Sequence, residues 1–449
     1  MSEIGLLAGA VLAPGDAGYD EGRQVFNAMI DRRPAVIAQC ASVADVVAAV
    51  RYGRRNGLPI AVRGGGHSVA GMALVDDGLV IDLRRMNGVS VDPDARTVTI
   101  GGGATMSDLD RATQPSGLAT TGGRVSSTGV GGFTLGGGTG WLDRLFGLAC
   151  DNLVSVDLVT ADGTTLTASE REHPELFWAL HGGGGNFGIA TSLTLRLHPL
   201  PRFTAGLLLW PPEAGPEVGR AYRDLLATAP DELGGGFVFL TGPPEPFVPP
   251  ELVGRLTCVV LLTYAGDEAT ARAAVAPLLA LRPAGTMIAE MPYGDLQCMF
   301  DDPPGYRNYW SAEHLDEFPD EAVDAFCAQA AGMIVPSPSQ HVLFPQGGAV
   351  ARVGADQPLP WRRAAWVVHP FGLWDDPADD DRGRQWVRDV RAAVRPWATG
   401  DVYLNFIGGE GADRVSSGLG PDNLARLAEV KRRYDPDNVF RLNHNIAPA

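Results

Sequence analysis

The sequence predicts an α+β fold in two domains, on three observations. A strand–helix–strand pattern opens the chain and is followed by short strands separated by Asp/Gly turns. Near residue 200 the texture changes, and up to about residue 395 β-type and helical runs alternate as they do where helices cover one antiparallel sheet. From about residue 400 the chain returns to short polar motifs, so the expected division is 1–200 with 400–449 as one unit and 201–399 as the other. The length of 449 residues suits two or three domains of roughly 150 residues or more.

Each element has a local reason. "PAVIAQC" is a β-type apolar run, and "SVADVVAAVRYGRRNG" places Ser42 as an N-cap, apolar residues at helical spacing and Gly57 at the end. "LPIAVRG" is a second buried strand. "ALVDDGLVIDL" and "GVSVDPDARTVTIGGG" read as short strands, and "MSDLDRATQPSG" as a helix ending at Gly117. After the glycine-dense span 118–150, "NLVSVDLVTADGTTLTAS" is a strand–turn–strand hairpin. "HPELFWALHGGGGNFGIATSLTLRLHPL" is a short helix, a glycine loop and a strand of alternating apolar residues. Beyond the proline-rich break at 243–250, "RLTCVVLLTYAGDEATARAAVAPLLAL" is again strand then helix.

Composition narrows the function classes. With 45% hydrophobic and 20% charged residues the chain is globular. A formal net charge of −17 argues against nucleic-acid or anionic-membrane partners, because dense phosphate repels it. One lysine, Lys431, stands against 35 arginines, a coding bias that strips arginine abundance of meaning. Cys40, Cys150, Cys258, Cys298 and Cys327 form neither a disulfide framework nor a zinc pattern, and no metal is expected. No basic region precedes the apolar "IGLLAGAVLA", and no run approaches the roughly 20 residues that span a bilayer. The expectation is a cytoplasmic protein, monomeric or homodimeric.

"RGGGHS", residues 63–68, follows the strand "LPIAV" and precedes strand, not helix. It is therefore not the GxGxxG of a Rossmann site. Its backbone N–H groups either form an anion-binding nest for a pyrophosphate, with Ser68 as a further donor, or merely make a tight turn. Two more such loops occur, "GRVSSTGVGGFTLGGGTGWLDRLFGLACDNLVSVDLVTADG" and "WALHGGGGNFGIAT".

With these loops in this order, "YLNF" at 403–406 and the closing "YDPDNVFRLNHNI", the sequence resembles the vanillyl-alcohol oxidase superfamily of FAD-linked oxidoreductases. Within it the berberine-bridge-enzyme-like branch fits best, over nearly the whole chain. The resemblance implies a PCMH-type FAD-binding domain and a substrate domain of antiparallel sheet covered by helices. It implies FAD held by Arg63, Gly64, Gly65, Gly66, His67 and Ser68, and by Thr128, Gly129, Gly131, Asp151 and Asn152. Gly185, Asn186, Gly188, Ile189, Asn405 and Asn443 complete that set. His67 matches the histidine that carries the flavin through its 8α-methyl group; an attached imidazole withdraws charge and raises the flavin's potential. Many members carry a second, cysteinyl link. Val125 stands at that place and Cys150 does not match it, so one covalent bond is expected. Thr128 matches the position that gates oxygen; its small side chain favours an oxidase using dioxygen, unless its hydroxyl bonds near flavin N5 instead.

Oxidation of a C–H bond by flavin is hydride transfer to N5, and a base must take the substrate's proton. Carbohydrate-oxidising relatives supply it as the second tyrosine of YxNY, where this chain has Phe406. On a β-strand Tyr403 and Asn405 would share one face. The catalytic candidates are Tyr403, Tyr309 and His369, the last two because each sits in an apolar aromatic run where a polar group needs a reason. Gln340, Gln346, Tyr306, Glu313 and His314 are further polar candidates, with His341 expected on the opposite face from Gln340. The pattern is similar to bacterial natural-product tailoring flavoenzymes, which implies a small phenolic, enolic or polyketide-like substrate. The expected function is an FAD-dependent oxidase; a flavin-dependent oxygenase of secondary metabolism and a dehydrogenase with another acceptor are the alternatives.

Overall fold

The computed structural model describes residues 7–301, 304–352 and 357–449. Ser42 caps the helix Val43–Arg55 by accepting from the Asp45 N–H, and Gly57 just beyond its end takes a left-handed φ of 63°. The flanking strands Val36–Gln39 and Ile60–Arg63 do not pair with each other. Both lie parallel to Leu79–Asp82 between them, and Ala10–Leu12 adds an antiparallel edge. A five-stranded antiparallel sheet follows, in the order Val89–Asp92, Thr97–Gly101, Ile189–Arg196, Leu153–Val159, Thr165–Ser169.

The middle of the chain forms one eight-stranded antiparallel sheet. Its strands run in the order Gly285–Glu290, Thr204–Trp210, Leu256–Tyr264, Leu233–Thr241, Gln340–Pro345, Trp366–Trp374, Arg307–Trp310, and Glu313–Leu315 also pairs with Trp366–Trp374. One face packs Leu208, Phe237 and Val260 against helices Gly215–Leu226, Asp320–Gln329 and Asp380–Val394. The other packs Val238, Leu261 and Phe344 against Trp141 and Leu142 of the glycine-dense segment. Burial of both faces explains why strands such as "LTCVVLLTY" are continuously apolar instead of alternating. The result is the expected α+β class, with helices on one face of an antiparallel sheet.

One local expectation is corrected. The segment 403–406 is not a strand: Leu404–Phe406 is a 3₁₀ turn, closed by the Phe406 N–H donating to the Tyr403 carbonyl. No neighbouring strand takes up its backbone groups, so it closes its hydrogen bond on itself. In a 3₁₀ turn residues three apart share a side, and the rings of Tyr403 and Phe406 meet at 4.7 Å. Among the described residues no helix is long and apolar enough to cross a membrane, and no group of three His, Cys, Asp or Glu side chains is placed to hold a metal.

Candidate active site

A cleft runs between the three glycine loops and the face of the eight-stranded sheet opposite its helices. The first two loops touch backbone to backbone. A Cβ on Gly65 would lie 2.3 Å from the Gly129 nitrogen, and one on Gly129 would lie 2.2 Å from the Gly65 nitrogen, so the contact requires glycine on both sides. Gly66, at φ 77°, then turns His67 into the cleft. Gly129 precedes the helix Val130–Leu135 without any side-chain cap, and Gly131 and Gly132 at its start line the cleft, leaving first-turn N–H groups for an anion. At Gly132, Gly184 and Gly185 an added Cβ would meet nothing, and the buried Asn443 Oδ1 on the same cleft has no partner. Open glycine backbone, an uncapped helix start and an orphaned amide oxygen suit a pyrophosphate-bearing dinucleotide such as FAD.

His67 is half-buried, its ring stacked on Phe26 at 4.2 Å. Nε2 lies 2.9 Å from Ser127 Oγ, which leaves Nδ1 as the free ring nitrogen. Burial pushes its pKa down to about 4, so the imidazole is neutral, and therefore nucleophilic, at physiological pH.

The far part of the cleft is apolar and aromatic. Leu207, Val238, Val259, Leu261, Val342 and Phe344 project from the sheet, joined by Trp141, Phe300, Trp310 and Phe371. His369 sits among them because Val342 pairs with His369 in register and Phe344 with Val367, which puts these side chains on one face. Its Nδ1 is 2.8 Å from the Ser311 carbonyl, which can only accept, so Nδ1 carries the proton and Nε2 keeps its lone pair. Burial holds the imidazole at a pKa of about 3. Phe406 stacks flat on it, centroids 4.0 Å apart at 11°. The Phe406 ring therefore orients a histidine.

Gly64, Gly65, Gly66, His67, Ser68, Thr128, Gly129, Gly131, Gly185, Asn186, Gly188, Ile189, Asn405, Asn443, Tyr403 and His369 all line this cleft. Four predicted residues do not. Tyr309 pairs with Gly372 and packs with the helix-side core, because strand parity gives the cleft face to its neighbour Trp310. Arg63 is buried and donates to the Gly22 carbonyl at 2.6 Å. Asp151 pairs with Arg362 and accepts from the Leu148 N–H, while Asn152 donates to the Phe146 and Leu148 carbonyls. Both acidic and amide side chains thus fasten the turn behind the cleft. Tyr403 needs a further correction, because its hydroxyl accepts from the Gly138 N–H at 3.0 Å and Asn405 Nδ2 at 2.9 Å. Burial pushes its pKa up to about 12, and its task is to hold the glycine loop.

Of the further polar candidates, Gln340 lines the cleft, whereas His341 is buried on the opposite face against Phe326. Glu313 pairs with Arg391 and Arg414, and His314 is buried against Trp361. Sequence reasoning missed Phe26, Phe344, Trp310 and Arg124. Arg124 directly precedes Val125 in "GRVSST", within the second glycine loop.

Residues 34–169 match the FAD binding domain family, and residues 402–447 match the family described as berberine and berberine like. The chain is 33% identical to (R)-6-hydroxynicotine oxidase of Paenarthrobacter nicotinovorans, over 98% of this chain and 97% of that one. It is 32% identical to the FAD-linked oxidoreductase pgmH of Aspergillus terreus, over 99% and 94%. Among solved structures, 6-hydroxy-D-nicotine oxidase from Arthrobacter nicotinovorans superposes with a TM-score of 0.87 at 29% identity, covering 99% of this chain and 98% of that one. Glucooligosaccharide oxidase from Acremonium strictum, described with a 6-S-cysteinyl, 8α-N1-histidyl FAD, shares the fold at a TM-score of 0.86 and 23% identity, covering all of both chains (100% each).

Proposed function

Because the chain belongs to the berberine-bridge-enzyme-like FAD-linked oxidoreductases of the vanillyl-alcohol oxidase superfamily, we propose that it is an oxidase with one covalent flavin bond, through His67, acting on a small acidic phenol, enol or polyketide-like compound. Bound FAD would supply a two-electron acceptor that dioxygen re-oxidises. The glycine loops and Asn443 would hold it, and His67, neutral and with Nδ1 free, would carry it. The chain's side chains do the rest. The aromatic walls exclude water and stack on a flat substrate, and the His369 lone pair accepts a hydrogen bond from a hydroxyl that the substrate keeps protonated, apart from its acidic oxygen. Thr128 lines the cleft with a side chain small enough to admit oxygen. The same reading assigns 1–200 with 400–449 to the cofactor and 201–399 to the substrate.

The observation that carries the substrate class is the lining itself. A sugar needs hydrogen-bond partners for many hydroxyls, and this cavity offers few polar side chains among its aromatics. Anaerobic stopped-flow bleaching across phenols, 1,3-dicarbonyls and oligosaccharides tests the reading. Fast bleaching by a plain sugar with none from the acidic panel would overturn it. Slow re-oxidation of dithionite-reduced enzyme by air would replace the oxidase with a dehydrogenase, and labelled oxygen appearing in the product would make it an oxygenase.

A further inference from the structure

Arg124 is the one Asp, Glu, Lys or Arg side chain among the described residues lining the cleft. Its guanidinium lies 3.9 Å from the Phe344 ring centroid and 5.0 Å from that of Trp141, two walls of the aromatic end. Nη1 donates to Thr139 Oγ1 at 2.9 Å and to the Thr139 carbonyl at 3.3 Å, and Nη2 donates to the Gly140 carbonyl at 3.0 Å, so the fork is oriented. Its charge is poorly matched. Asp143 is 3.6 Å away, beyond a good hydrogen bond, and accepts instead from the Gly140 N–H at 3.2 Å. Burial pushes the Asp143 carboxyl up to about 6, so it stays largely ionised at neutral pH but offers the guanidinium no short hydrogen bond. Arg124 Nε is buried without a partner. Phe344 also faces His369, 6.3 Å between ring centroids, which places the cation and the His369 lone pair around one space.

We propose that Arg124 is the substrate-recognition residue, holding the anionic oxygen of an ionised enol or phenol in the aromatic end of the cleft. The proposal rests on the acidic-substrate reading and makes it specific: the compound binds as its conjugate base, its proton leaving to solvent. A cation that stabilises the oxyanion makes a tyrosine base unnecessary, which fits Phe406 in that place. Arg124 cannot itself take a proton from an enol, because guanidinium has no lone pair to offer.

The test uses the flavin-loaded enzyme and two probes, 2-acetylcyclohexane-1,3-dione, an enolate at neutral pH, and its neutral enol methyl ether. Binding is read anaerobically from the flavin absorbance. Wild type should prefer the enolate by about tenfold or more, the worth of a charge-assisted hydrogen bond. Arg124→Gln should lose about that factor for the enolate and little for the ether, and Arg124→Lys should retain part of it. Equal affinity of wild type for both probes would overturn the proposal, and this measurement stands even if Arg124→Gln fails to fold. Equal loss of both probes in Arg124→Gln would also overturn it. So would an unchanged enolate affinity accompanied by a fall in flavin potential, which would make reduced flavin the anion that Arg124 serves. Enolate binding without bleaching would sink the oxidase reading and leave Arg124 standing. Bleaching that Arg124→Gln leaves untouched would do the reverse.

Discussion

Replacing His369 with phenylalanine would keep a flat ring against Phe406 while deleting both ring nitrogens. Two losses follow. The Ser311 carbonyl would lose a 2.8 Å donor in a buried setting, a cost of about 1–3 kcal/mol to folding. The cleft would lose the Nε2 lone pair; general bases contribute about 10²–10⁴-fold, and one with a pKa of about 3 sits at or below the low end of that range, with still less effect on a substrate that arrives ionised. His369→Phe should therefore slow bleaching by weakly acidic alcohols much more than bleaching by enolates. His369→Gln, with a donor for Ser311 and an acceptor for the cleft, should recover part of both losses.

The pH dependence has a definite sign. Protonation silences the base, and burial lowers the His369 pKa to about 3, so any acid limb from this residue lies near pH 3 and not between 5 and 8. The same shift acts on stability. The unfolded chain binds this proton below about pH 6.5 while the folded chain does not, so the contribution is full above that pH and is lost as pH falls toward 3. The assay is anaerobic stopped-flow bleaching from pH 5 to 8 for wild type and both variants, with urea unfolding for stability. An acid limb near pH 6 in wild type that disappears in His369→Phe would refute the neutral, buried imidazole.

Acid precipitation should leave the flavin on the wild-type pellet, whereas His67→Ala should release it into the supernatant while remaining folded. A tryptic flavopeptide should contain His67 and never Cys150, whose thiol is fully buried beside Arg362, away from the cleft. Tyr403→Phe should cost about 1–3 kcal/mol in urea unfolding, because the Gly138 N–H loses its acceptor while Asn405 Nδ2 keeps the Phe133 carbonyl, with a smaller effect on bleaching rate than His369→Phe. Lys431→Met should destabilise by roughly 3–5 kcal/mol: Lys431 and Asp435 form a fully buried pair at 2.7 Å, and the variant strands the carboxylate. Because Lys431 also donates to the Asn186 carbonyl on the third glycine loop, flavin retention should fall with it.

What the sequence determined by itself is what short-range sterics and hydrogen bonds decide. Ser42 caps its helix, Gly57 ends it, and Gly66 turns His67 into the cleft, because each outcome depends on a few neighbouring residues. The ordered glycine loops were legible for the same reason, whereas Val125 carried meaning only through the resemblance to a known family. Tertiary structure decided whatever depends on a distant partner. Strand parity gave the cleft to His369 and Trp310 and turned Tyr309 away, and that parity is set by pairing with Gly372 some 63 residues on. Asp151 and Asn152 resemble cofactor ligands in one dimension. In three, Arg362 claims the first from 211 residues away, and the second ties down its own turn. The tetrapeptide at 403–406 reads as strand in the sequence, and with no neighbouring strand among the described residues it closes as a turn instead. Arg124 acquired its meaning only when folding left it as the one Asp, Glu, Lys or Arg side chain among the described residues lining the cleft, since a cation is unremarkable in a sequence and costly in an apolar cavity.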